Sequence, residues 1–299
     1  MKTITTIPDY CREVNIPQPK YALYDIRKFE DKVKTENKQQ SAFRHEFYAI
    51  ALRHSGYNKA VNGKPLQANL LFNSPYQVIS WDVLPEWKGW YLMFGQDFLA
   101  LNPAWNHFIV EFPFFRLDKS IPFNLAPQDA ALADGFFQKI FEEYHSSNTD
   151  KFQFIQAYTS LLLHLTKRYF NQLHIVENAT DNHCTADILL VSRFQTMIEI
   201  NIINAHAPEK IRKPSFYAGE LHIHPNHLNA VVKRITGKAA THIIHEKFIT
   251  VAKSLLKQED LSAKEIAYKL HFKQPAHFTS FFKKMTGITP QQYQQNHIL

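Results

Sequence analysis

The stretch "AYKLHFKQPAHFTSFFKKMTG" (267–287) decides the fold, because the chain writes it twice. The earlier copy reads "AGELHIHPNHLNAVVKRITG" (218–237). Ala218, Leu221, His222 and Ile223 match Ala267, Leu270, His271 and Phe272. After one inserted residue, Pro225, His227, Leu228 and Gly237 match Pro275, His277, Phe278 and Gly287. A period of about 50 residues that keeps its apolar pattern is a duplicated supersecondary unit. In the later copy Ser262 with Glu265 three residues on writes a capping box, with Leu261 and Ile266 as its hydrophobic staple. That predicts a short helix to about Leu270, then the turn "HFKQ". A second helix opens at Pro275, where a missing N–H costs nothing, and stops at Gly287. The earlier copy repeats this from about Ser215 to Gly237. Two helices joined by a tight turn are a helix-turn-helix.

The second helix of each copy has two faces. Leu228, Val231, Val232 and Ile235, and likewise Phe278, Phe281, Phe282 and Met285, recur at helical spacing and belong to the core. The outward set is Asn226, His227, Asn229, Ala230, Lys233 and Arg234 in the first copy. In the second it is Ala276, His277, Thr279, Ser280, Lys283 and Lys284. Small polar groups near the helix start can reach base edges, while the cations, Lys233, Arg234, Lys283 and Lys284, meet phosphates. The charge balance agrees. The chain carries +7 overall, but residues 210–299 hold fourteen Lys or Arg against five Asp or Glu, and the rest is slightly acidic. Such a basic module suits a polyanion, here duplex DNA. Between the copies, "AATHIIHEKFITVAKSLLKQ" (239–258) carries one apolar stripe and predicts a rod about 30 Å long. A rod of that order sets two reading helices about one DNA turn, ~34 Å, apart.

Residues from about 187 to 299 resemble the DNA-binding domain of the AraC/XylS family of bacterial transcription regulators, on the run "EIAYKLHFKQPAHFTSFFKKMTGITPQQYQQ" (265–295). The resemblance implies an all-α domain of about seven helices with two helix-turn-helix units, acting as a sequence-specific regulator with RNA polymerase as a further partner. The departures are His271 where the family has glycine and Gln294 where it has arginine. Ala230 and Ser280 stand at the slot where many members place a base-contacting arginine. Base choice then rests on Asn226, Asn229, His277 and Thr279, the two asparagines being suited to adenine.

The remainder reads differently. Residues 1–125 are rich in aromatics. "FYAIAL" (47–52), "YQVIS" (76–80), "WYLMF" (90–94) and "HFIVEF" (107–112) read as strands between "HSG", "VNGKP" and "NSP" turns. "FRHEFYAIALRHSG" (43–56) resembles the start of the cupin-like sensor barrel that often precedes this DNA-binding domain, which implies a barrel for a small-molecule effector. His45, Tyr48, Trp81 and Trp90 are the pocket candidates. Residues 126–170 turn helical, with Leu132, Phe136, Phe137, Ile140, Phe141 and Tyr144 on one stripe and Phe154, Ile155, Tyr158, Leu161, Leu162 and Leu165 on the next. In regulators of this type similar helices pair two chains, so the resemblance implies a homodimer interface here, the alternative being that they only pack on the barrel. Residues 171–186 are polar and read as a linker to the domain at 187–299. The fold class is thus α+β and multidomain.

Competing readings are a cupin-type metalloenzyme with a DNA-binding tail and an adaptor whose helices 187–299 bind protein. A cupin metal site needs His-x-His plus Glu and a later His, but Phe43 stands at the first position, leaving His45 alone. "HIHPNH" (222–227), "HEKFI" (245–249) and "DNHC" (181–184) each lack the partners of a metal site, and no metal or cofactor is expected. With eight glycines there is no phosphate-binding glycine loop, so nothing argues for an enzyme. Two cysteines, no leader pattern and no run of about 18 apolar residues suggest a cytoplasmic protein away from membranes.

Overall fold

The computed structural model describes residues 2–30, 39–54, 60–61, 64–65, 68–82, 88–120, 122–176, 185–204, 207–257 and 261–296. The chain divides into two compact units. One is Met1–Gly95 with Phe112–Asn182, and the other is Gln96–Glu111 with His183–Leu299.

The first unit is built on two sheets. β1 (Lys2–Ile4), β3 (Gln39–His45) and β8 (Val78–Asp82) form one, in the order β1-β3-β8. β10 (Phe123–Leu125), β7 (Ala68–Asn73), β4 (Tyr48–His54), β9 (Lys88–Phe94) and β2 (Tyr24–Lys28) form the other, in that order. β5 (Ala60–Val61) and β6 (Lys64–Pro65) pair separately. The barrel expectation is corrected here: among the described residues the sheets do not close. The space between them is filled by a helix from the chain's start, Ile7–Glu13, whose Ile7, Tyr10 and Cys11 share one core cluster with Phe43, Phe47 and Met93. Thr6 caps that helix on Asp9 N. At β9, Gly89 takes φ +115°, and a Cβ there would sit 2.1 Å from the Leu52 carbonyl oxygen of β4, so only glycine fits.

Two strand expectations shift. In 76–80 the strand starts only at Val78, because Tyr76 turns at φ 73° and donates its N–H to the His45 carbonyl. The run at 107–112 is not a strand. Pro103–His107 is a 3₁₀ turn, capped by the Asn102 side chain on Ala104 N, and Phe108–Glu111 is a helical turn. Both lie in the second unit, so the stretch 1–125 is interrupted by sixteen residues that pack elsewhere.

A helical hairpin completes the first unit. Pro127–His145 buries Ala130, Ala133, Phe137, Ile140 and Tyr144. Lys151–Val176 packs against it and runs six residues into the stretch read as linker. Residues 177–184, with "DNHC", lie outside the described residues.

The second unit carries the seven expected helices: Ala186–Ile203, Pro214–Glu220, Pro225–Thr236, Ala240–Leu256, Ala263–Lys269, Pro275–Thr286 and Pro290–Asn296. Their cores come from the stripes read in sequence. Leu228, Val231, Val232, Phe278 and Phe282 are buried, whereas Ile235, Phe281 and Met285 are half-buried. The rod between the copies, Ala240–Leu256, has 17 residues and spans about 25 Å.

Candidate nucleic-acid interface

The repeated phrase that ends each copy is a piece of hydrogen-bonding chemistry. Thr236 donates its hydroxyl to the Val232 carbonyl and accepts from Lys238 N, and Gly237 turns left-handed at φ 80°. Thr286 donates to the Phe282 carbonyl and accepts from Ile288 N, and Gly287 turns at φ 85°. Each Thr-Gly pair satisfies the end of a reading helix and aims the chain into the next one. The starts differ. The capping box of Ser262 and Glu265 is formed, with both partners bonding each other's backbone, whereas Pro214–Glu220 opens on a proline with no side-chain cap, so the first copy does not repeat that start. In the two turns His222 (φ 55°) and His271 (φ 61°) occupy the left-handed conformation. Histidine is among the residues that tolerate it, which explains how His271 stands in a glycine's place. The His271 ring also donates from Nε2 to the Ile202 carbonyl, at 3.1 Å.

The outward faces are where the stripes put them. Asn226, His227, Asn229, Ala230, Lys233 and Arg234 are exposed on Pro225–Thr236, and Ala276, His277, Ser280, Lys283 and Lys284 on Pro275–Thr286. Thr279 is half-buried, its hydroxyl bonded to the Pro275 carbonyl at 3.2 Å. Two of the exposed groups already have protein partners. Asn229 Oδ1 accepts the backbone N–H of Ala240, the first residue of the rod, at 3.0 Å. The second copy has no such demand. Its counterpart of Ala240 is Pro290, which has no N–H, and its counterpart of Asn229 is Thr279. Arg234 is paired with Asp187, in the first turn of Ala186–Ile203, with Nε at 2.8 Å from Oδ2. Its charge is therefore already partly met.

Sequence reading missed two fasteners. Arg212 lays its guanidinium 4.0 Å from the Phe272 ring centroid and donates to the His271 carbonyl at 2.7 Å, tying the start of the first copy to the turn of the second. Nothing local marks it. Glu199 is the other. It is buried on the stripe of Val191, Phe194, Ile198 and Ile202, and a carboxylate on an apolar stripe signals a buried partner.

A family model described as "Helix-turn-helix domain" matches residues 217–296, from the middle of the first short helix to the end of the last helix. The second unit carries a helix-turn-helix domain. This domain is similar to part of the uncharacterized HTH-type transcriptional regulator YtdP of Bacillus subtilis (strain 168). Identity is 37% over 78 residues, which is 26% of this chain and 10% of that protein. The chain thus spans about a tenth of the curated relative's length. Among solved structures, the C-terminal domain of AraT, a response regulator from Geobacillus stearothermophilus, is 23% identical over 37% of this chain and 87% of that one, with a TM-score of 0.33. ToxT from Vibrio cholerae is 13% identical over 91% and 98%, also at 0.33. Likenesses this loose say nothing of ligand or activity.

The effector-pocket candidates fare differently. His45 is fully buried beside the Phe43 and Phe47 rings, Tyr48 stacks on Phe94, and Trp90 donates to Asp134 and packs on Phe141. The side chain of Trp81 lies outside the described residues. The first unit does hold a cavity of about 410 Å³, lined elsewhere by Lys20, Asp25, Arg27, Tyr91, Phe141 and Tyr144 among others. There Asp25 accepts from Arg27 Nε at 2.5 Å and from the Tyr144 hydroxyl at 2.7 Å. Burial raises the Asp25 carboxyl above its ordinary range, and Arg27 and then Tyr144 oppose that. Among the described residues, no helix is long and apolar enough to cross a membrane, and no three His, Cys, Asp or Glu side chains gather as a metal site.

Proposed function

We propose that the chain is a DNA-binding transcriptional regulator whose two reading helices, Pro225–Thr236 and Pro275–Thr286, enter successive major grooves of one duplex. The observation that carries this reading is the duplicated unit with a polar and basic exposed face on both helices. Asn226, His227, Ala230, Ala276, His277 and Ser280 face the bases. Asn229 and Thr279 contribute with what their internal bonds leave free. Lys233, Lys283 and Lys284 meet phosphates, joined by Arg234 where phosphate displaces Asp187. The experiment is selection of duplexes from a random pool by the purified chain at moderate salt. Two short boxes about one turn apart are expected. Recovery of unselected, salt-sensitive DNA alone would reduce the basic face to a charge patch.

The first unit supports two finer proposals. Leu132, Phe154 and Leu161 are 50%, 43% and 51% exposed on the helical hairpin, which suits a homodimer with a second copy of this chain. A small effector fits the cavity beside Asp25 and Arg27, whose volume is in the range of ligand sites. His45, Tyr48 and Trp90, buried and not among its lining residues, fit it less well. Substituting Arg27 with Met should abolish any ligand-induced thermal shift, whereas an undiminished shift would place the ligand elsewhere.

A further inference from the structure

The second unit contains sixteen residues from the middle of the first half of the chain. After β9 the chain passes through Gln96–Glu111, which belongs to the helical unit, and returns at Phe112. This strap is no surface decoration. Phe98, Leu99, Trp105, Phe108 and Ile109 are all buried. Its polar anchors run along one face of the rod. Lys247 Nζ lies 2.5 Å from Glu199 Oε1, and Glu199 Oε2 accepts the backbone N–H groups of Ile109 and Val110 at 3.0 and 3.1 Å. Thr250 meets Gln96 at 3.5 Å, and Lys253 meets Asp97 at 2.5 Å. Lys247, Thr250 and Lys253 recur every three residues, so they share one side of the helix. Other positions of the rod, among them Ile243, Ile244, Phe248, Val251 and Ala252, are buried in the same unit.

We infer that Glu199 is a positioning residue for two-site DNA recognition. Through Lys247 and the strap it holds the rod in one place, and so makes two separate reading heads act as a single body. The charge pair is where this hold is concentrated. Glu199 and Lys247 keep only 2% and 10% of their side-chain surface, and together they fix the helical turn of the strap to two long helices, Ala186–Ile203 and the rod. Neither residue lies on an outward reading face. The idea rests on the DNA-binding reading, because only a two-headed grip gives the rod's position a consequence. It also has content without DNA, since a released strap must loosen the rod.

The test uses the full chain with Glu199→Gln, and Lys247→Arg as the variant that keeps the pair. Two readouts are taken: amide hydrogen exchange of 96–111 and 240–256, and affinity for a selected two-box duplex against a duplex with one box scrambled. In Glu199→Gln, exchange is expected to rise at least tenfold in the strap and in the rod. Two-box affinity should fall about tenfold, with one-box affinity changing less than about twofold, while Lys247→Arg stays near the unmodified chain on both. Equal losses on both duplexes would overturn the inference, because that is what a merely stabilising pair gives. Exchange that rises in the strap and leaves the rod unchanged would overturn it as well. If the unmodified chain selects no duplex, the DNA reading fails and the recognition role of Glu199 fails with it, whereas faster exchange of the rod in Glu199→Gln would still show that Glu199 holds the rod.

Discussion

Asn229 and Thr279 hold equivalent places in the two reading helices but do different work. Asn229 supplies the acceptor that the first N–H of the rod requires, whereas in the second copy the position equivalent to Ala240 is Pro290, which has no N–H for Thr279 to satisfy. Loss of a capping acceptor costs about 1 kcal/mol, with a range of roughly 0.5–2. Asn229→Ala should therefore lower unfolding free energy by about that amount and Thr279→Ala by a few tenths, read from denaturant midpoints. Equal effects would mean the Asn229 bond is not a cap. On DNA, Asn229→Ala should weaken specific more than non-specific binding, and equal losses would argue against base contact. His271 sits at φ 61° with its ring on Ile202. His271→Ala keeps the unfavourable backbone and loses the bond, and about 1–2 kcal/mol should go with it. His271→Gly relieves the backbone and should lose less, and the reverse order would refute the glycine-site reading.

His45 is a third case at this scale. Burial holds its pKa down to about 4 from the ordinary 6.5, opposed only by the Phe47 backbone. The folded state thus keeps a neutral ring where the unfolded chain takes up a proton. Between those two values the unfolded state binds more protons, so stability is full above pH 6.5 and falls as pH drops toward 4. Below that it levels off, after a loss of roughly 3 kcal/mol. Urea unfolding at pH 7 and pH 4.5 should show a drop in the unmodified chain that His45→Asn shrinks. An unchanged drop would assign acid sensitivity elsewhere.

At the scale of elements, what could be read in sequence was local and what could not was tertiary. The capping box at Ser262, the helix starts at Pro225 and Pro275 and the stops at Gly237 and Gly287 are set by residues within one turn of each other, and all formed as read. The run "HFIVEF" looks like a strand on composition alone. Its helical turn depends on Glu199, about ninety residues away, bonding Ile109 and Val110, and no window along the chain contains both. The open sheets have a similar origin, since the helix at Ile7–Glu13 fills the core from outside the strand pattern. The candidate interface was legible by face, whereas the internal claims on Asn229 and Arg234 were not, because Ala240 and Asp187 are brought to them only by folding. The helical hairpin carries its own prediction. Leu161→Asp, at a half-exposed position on Lys151–Val176, should convert a dimer to a monomer in sedimentation without lowering thermal stability. A dimer that survives would remove this face from the interface.

At the scale of the whole molecule, the basic surplus of residues 210–299 makes binding an exchange of counterions. Lys283→Ala should weaken binding to all sequences and flatten the plot of log affinity against log salt by about one unit. An unchanged slope would remove Lys283 from the phosphate contacts. If two reading heads in one chain grip one duplex, the spacing of their boxes must matter. The direct measurement is affinity for the two selected boxes as the spacer between them is lengthened one base pair at a time through a full turn. Affinity is expected to peak at one separation and to fall steeply when about half a turn is added, which moves the boxes to opposite faces. Affinity indifferent to the spacer would contradict a two-headed grip.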